Sequence, residues 1–78
     1  MSANMIRTAA ELLAVLREGG WELKRYAWLG PRATIERDLH IRLVHGNAIH
    51  ALLRRGFLIS TDKFPYTTYT FTDIEAPR

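Results

Sequence analysis

The sequence predicts an α+β fold in the order helix, β-hairpin, helix, β-hairpin. Three observations predict it. A threonine and a glutamate three residues apart open an amphipathic run at Thr8. Apolar residues then alternate with a period of two between Ala33 and Leu43. A second amphipathic run starts near Gly46, stops at Gly56 and gives way to two β-rich stretches ending at Thr72. At 78 residues the chain reads as one domain, with residues 1–6 and 74–78 expected to fray.

Each element has a local cause. Thr8-Ala9-Ala10-Glu11 has the capping-box form: the hydroxyl serves one unpaired helix N–H and the Glu carboxylate reaches back for another. Ala9, Leu12, Leu13 and Leu16 then share one helix side, and Gly19-Gly20 ends the run near Glu18. Trp21 to Leu29 reads as a strand with a bulge or bend where its apolar parity changes, between Leu23 and Tyr26. Gly30-Pro31 supplies a turn. Ala33, Ile35, Leu39, Ile41 and Leu43 all fall on odd positions, Arg37 being the exception, which argues for one long strand with a buried face. The rival reading is a short helix from Pro31 to Leu39, since Pro31, Ile35 and Leu39 are four apart. The helix from Gly46 to Arg55 buries Ala48, Ile49, Leu52 and Leu53. Phe57–Thr61 and Thr67–Thr72 form the last hairpin around a loop at Asp62–Tyr66.

Composition narrows the classes of function. A hydrophobic share of 47% is that of a folded globule rather than a disordered chain. The absence of cysteine removes disulfides and thiolate metal sites and fits a cytoplasmic setting. No run is long and apolar enough to span a membrane, and Met1 to Arg7 lacks the apolar centre of a signal peptide. The net charge of +3 is unevenly placed. Lys24 to Arg55 holds seven basic residues and two acids, +5, while the segments on either side carry −1 each. That excess favours an anionic partner, though charged residues also serve simply to solvate a surface.

Leu52-Leu53-Arg54-Arg55-Gly56-Phe57-Leu58-Ile59 resembles the helix-to-wing junction "L-x-x-x-G-L-I" of winged helix-turn-helix proteins. Tyr69-Thr70-Phe71-Thr72-Asp73 resembles the strand that closes their wing. The likeness covers about a third of the chain and points to the small, stand-alone bacterial or phage type. It implies that the helix before Gly56 is a recognition helix for DNA. Where that family has a short second helix, this chain carries its long hairpin.

The candidate nucleic-acid contacts follow. Asn47, His50 and Arg54 form the polar stripe of the second helix, with Arg55 on its flank. Arg pairs bidentately with guanine and Asn with adenine, so this stripe suits base edges. Arg42, Lys24, Arg25 and Lys63 are the candidate phosphate contacts. The same stripe is also what the wet side of any amphipathic helix looks like.

The tip of the last hairpin, Lys63-Phe64-Pro65-Tyr66, has one cation and two aromatics. Phe64 and Tyr66 have three readings: a wedge between base steps, an anchor for a protein partner or second copy, or side chains folded back onto the core. His40, His45 and His50 recur every five residues, which is wrong for a shared metal on one helix face; His45 or Asn47 is the expected cap of the second helix. No catalytic constellation, cofactor motif or metal set is found. The reading is a DNA-binding regulator without enzymatic activity, with a protein-binding module as the alternative.

Overall fold

The computed structural model describes residues 5–76. Its elements are α1 (Ala9–Glu18), β1 (Glu22–Tyr26), a single 3-10 turn (Ala27–Leu29), β2 (Ala33–Arg37), β3 (His40–Val44), α2 (Gly46–Arg55), β4 (Leu58–Lys63) and β5 (Tyr66–Phe71). The five strands form one antiparallel sheet in the order β3-β2-β1-β5-β4. Both helices cover one face of it. The fold is a small α+β domain.

Local chemistry sets the helix ends. Thr8 Oγ1 accepts a hydrogen bond from Glu11 N at 3.1 Å, and Glu11 Oε1 accepts from Thr8 N and Arg7 N at 3.1 and 2.9 Å. Those backbone donors hold the Glu11 carboxyl below its usual value, with the Arg42 charge adding to the effect. α2 is opened by His45, whose Nδ1 accepts from Asn47 N at 3.1 Å. That bond places the proton of neutral His45 on Nε2. At the far end Gly56 adopts φ +87°, Gly56 N donates to Leu53 O and Phe57 N to Leu52 O. This is a Schellman closure, which satisfies the last carbonyls and turns Phe57 inward.

The core lies between the sheet and the helices. Leu12, Ile35, Val44, Ile49, Leu52 and Phe57 are its most enclosed side chains. Ile6 is also fully buried: its N–H donates to Leu43 O and its carbonyl accepts from His45 N, both at 2.8 Å. The expected fraying of residues 1–6 is therefore corrected at Ile6, while residues 1–4 lie outside the described part. At the other terminus Arg17 grips Asp73 at 2.8 Å and Glu75 at 3.2 Å, and Arg55 reaches Glu75 at 3.6 Å. The segment 73–76 is thus tied to both helices rather than loose, and residues 77–78 lie outside the described part.

The Arg17 hydrogen bond holds the Asp73 carboxyl below its usual range. A carboxylate with a lowered folded-state pKa adds stability above its unfolded pKa and loses it as the pH falls through the folded value. Asp73→Asn should therefore lower the melting temperature at neutral pH, and the deficit should vanish in acid where Asp73 is protonated. A deficit that is the same at both pH values would count against this pairing.

Two expectations about the middle of the chain need correction. The long strand from Ala33 to Leu43 is two strands. Arg37 pairs with His40 across a two-residue turn, in which Asp38 takes φ +55°. Aspartate tolerates that left-handed conformation, and this is the only local signal for the turn. Each pair in the register sums to 77, as in Ala33↔Val44 and Ile35↔Arg42, so odd residues of β2 lie beside even residues of β3. The odd-numbered apolar set therefore changes face at the turn: Ala33 and Ile35 are buried, whereas Leu39 and Ile41 are 96% and 65% exposed. The chain does not form a helix over Pro31–Leu39. Nor is there a bulge in β1, whose register with β5 runs unbroken from Leu23↔Tyr69 to Tyr26↔Tyr66. Tyr26 faces away from the helices and stacks on Trp28, which accounts for the parity change. The last hairpin turns on Phe64-Pro65 alone, because Lys63 already pairs with Tyr66.

Candidate nucleic-acid interface

α2 presents Asn47, His50, Arg54 and Arg55 to solvent and buries Ala48, Ile49 and Leu52. The spacing of 47, 50 and 54 keeps the first three on one stripe, because a helix repeats every 3.6 residues. The helix contains no acidic residue, and Arg54 and Arg55 lie in its last turn, where the helix dipole favours cations.

Two hollows flank this stripe and meet at His50. One, of about 370 Å³, runs along the outer side of α2 and is lined by Pro31, His45, Gly46, Asn47, His50 and Arg54. The other, of about 470 Å³, lies between α2 and the β4–β5 hairpin. Arg25, His50, Leu53, Ser60, Asp62 and Thr67 are among its walls. Arg25 projects from β1 into this second hollow. Its Nε donates to Tyr69 Oη and its Nη1 to Gly30 O, both at 3.4 Å, so the guanidinium is held in place and keeps further N–H groups for a ligand. Asp62 is the acid here, and it accepts a hydrogen bond at 3.0 Å from the buried Thr67 hydroxyl.

The structure thus gathers Asn47, His50, Arg54 and Arg25 on one shelf. It sends the other four candidates elsewhere. Lys24 and Lys63 lie on the opposite sheet face, by the register that pairs Lys24 with Thr68 and Lys63 with Tyr66. Lys24 sits 3.6 Å from Glu22 and 5.2 Å from the Tyr66 ring centre. Arg55 is turned toward Glu75 and stacks over Phe57 at 5.1 Å. Arg42 is half-buried on the helix-side face of β3, where its charge acts on Glu11. Arg37 is structural: it lies 4.6 Å over Trp21, reaches Glu18 at 3.5 Å and donates to Gly19 O at 3.3 Å.

The hairpin tip resolves one of the open readings. Phe64 is 94% exposed, so it does not fold back onto the core. Tyr66 is half-buried and meets Tyr26 edge-on at 5.5 Å. Tyr26 in turn stacks on Trp28 at 4.9 Å, and Trp28 is 70% exposed. Ala27 N donates to Pro65 O at 3.0 Å and ties this aromatic group to the tip. Sequence reasoning missed Tyr26 and Trp28 because it placed both inside a strand. Their spacing of two, just before Gly30-Pro31, is the signal that marks them as neighbours on one face.

Among the described residues no helix is long and apolar enough to cross a membrane, and no three His, Asp or Glu side chains converge as a metal set. No family model matches the chain, and neither a curated protein nor a solved structure matches it significantly.

Proposed function

We propose that this domain binds nucleic acid through the exposed face of α2, on a winged-helix-like frame, as a small cytoplasmic regulator or accessory protein without a catalytic step or cofactor. One observation carries the reading. The acid-free stripe Asn47-His50-Arg54 adjoins the fixed guanidinium of Arg25 across a continuous shelf. Arg54 and Asn47 are suited to base edges, while Arg25 is suited to a phosphate. The winged-helix element of the proposal is supported by the passage from α2 through Gly56 directly into the β4–β5 hairpin. The β2–β3 hairpin stands where a second helix would be.

With Lys24 and Lys63 on the opposite sheet face and Arg42 and Arg55 turned toward Glu11 and Glu75, the phosphate contacts are few. Binding is therefore expected to be weak and salt-dependent, losing about 0.9 in the log–log salt slope for each phosphate contact removed. Arg54→Ala should weaken duplex DNA binding by about tenfold or more, since a base-contacting Arg contributes roughly 1–3 kcal/mol. Its melting temperature should not change, because Arg54 is exposed. Lys63→Ala should leave affinity as it was. The reverse pattern, measured by fluorescence anisotropy, would move the site to the other face.

A second reading is favoured by the aromatic tip. Phe64 and Trp28 are exposed beside Tyr66 and Tyr26, the kind of cluster that anchors a protein interface. Under that reading Phe64→Ala abolishes capture of a protein partner while duplex binding, if any, persists.

A further inference from the structure

We propose that the sheet face away from the helices binds single-stranded nucleic acid, with Trp28 and Phe64 stacking on bases and Lys63 and Lys24 meeting phosphates. This surface is separate from α2, so the two sites hold or fail independently.

The register builds the surface. Tyr26 pairs with Tyr66 and Tyr66 with Lys63, so these three form one row across β1, β5 and β4. Lys24, Thr68 and Thr61 form the next row on the same face, because side chains alternate along a strand. Neither row contains an acid. Glu22, which lies 3.6 Å from Lys24, stands one row further from the aromatic end. Lys63 is exposed and makes no ion pair among the described residues. Arg32, exposed in the turn after Trp28, adds a cation at this end of the sheet.

Trp28 is held ready for a base. One face of its indole lies against Tyr26, with ring centres 4.9 Å apart and planes 21° from parallel, and Tyr66 braces Tyr26 edge-on. Trp28 stays exposed, so its other face is open to continue the stack. The hydrogen bond from Ala27 N to Pro65 O brings Phe64 to the same place, since Trp28 and Phe64 each adjoin one of its partners. Exposed rings beside lysines are the two parts of a single-strand platform: every base offers a π face, and cations follow the backbone.

The chemistry selects this occupant. A duplex keeps its base faces covered by stacking, so free rings favour the single strand. Protein interface cores are also aromatic, but they are depleted in lysine, whereas these rings are surrounded by Lys24, Lys63 and threonines. The chain ends lead elsewhere. Ile6 lies beside Val44 in parallel, so the chain before it leads along β3 toward Ile41, away from the Tyr26–Tyr66 row. Glu75 is held by Arg17 and Arg55, at the opposite end of the β4–β5 hairpin from its tip.

Fluorescence anisotropy with labelled oligo(dT) and oligo(U) at low salt tests this, each melt being recorded beside its titration. Both strands lack stable secondary structure; binding of either supports the proposal, and the stronger one identifies the sugar. Trp28→Ala and, separately, Phe64→Ala should each weaken binding by about tenfold, the effect of losing one stacked base. Both side chains are exposed, so the melting temperature should hold. Lys63→Ala should lower the log–log salt slope by about 0.7, the value for one phosphate contact on a single strand. Arg54→Ala should leave single-strand affinity unchanged, and Trp28→Ala should leave duplex affinity unchanged. Absence of single-strand binding at low salt overturns the proposal and leaves the cluster to a protein partner. Single-strand binding that survives both aromatic variants, or that falls as far in Arg54→Ala, overturns it as well.

Discussion

Phe57→Ala lowers the melting temperature by more than about 15 °C. The ring is 1% exposed, enters the core straight from the Schellman closure of α2 and lies 6.4 Å from Phe71 in a near-parallel stack. Removing a buried phenyl ring costs roughly 3–5 kcal/mol, from lost transfer energy and the cavity left behind. A domain of this length holds only about 4–12 kcal/mol in total. Each kcal/mol corresponds to roughly 4–8 °C at this size, so the loss is large on either scale. Arg55 stacks over the same ring, and its Glu75 contact should loosen with it. Thermal melts by circular dichroism measure the effect. A shift of only a few degrees would mean that Phe57 is not the core anchor described.

Gly46→Ala destabilises the fold although alanine is the better helix former. On propensity alone the change should gain up to about 1 kcal/mol. A Cβ at Gly46, however, would lie 2.5 Å from the Pro31 carbonyl oxygen and 3.2 Å from Pro31 Cβ. Backbone atoms cannot rotate aside as a side chain can, so either the loop or the helix start must shift. Overpacking of this kind costs typically 1–3 kcal/mol, which exceeds the propensity gain. The shift also has a functional consequence, because Gly30 O holds Arg25 and Pro31 lines both hollows beside α2. Urea unfolding should show a lower midpoint with an unchanged slope. A raised midpoint would show that the Pro31 segment yields freely.

What the sequence carried about this fold was mostly local. Thr8 and Glu11 bond within one helical turn, and Gly56 closes α2 on carbonyls three and five residues away from its partners' donors, so both helix limits were legible. The strand alternation was legible as well, but alternation is blind to a two-residue turn. Odd apolar positions continue through Asp38-Leu39 without a break, while the face they occupy reverses. Periodicity therefore shows one strand where there are two, and it assigns Leu39, Ile41 and Leu43 to the core although they are exposed.

The candidate site divides in the same way. Asn47, His50 and Arg54 lie on one helix, where a period of 3.6 places them together without knowledge of anything else. Arg25, Lys24, Lys63, Arg42 and Arg55 depend on register, on which sheet face the helices cover and on distant partners such as Glu75 and Tyr69. Charge counting grouped them, and the sheet separates them. Lys24 and Arg25 are adjacent in sequence yet face opposite sides, because neighbouring residues of a strand must.

Mapping the binding surface tests the α2 interface directly. Labelled protein is titrated with a short DNA duplex at low salt while backbone and side-chain NMR shifts are followed. The largest shifts are expected at Asn47, His50, Arg54 and Arg25, fading as salt is raised, with Lys24, Lys63 and Thr68 unmoved. Shifts centred on the open sheet face, or none at low salt, would contradict it.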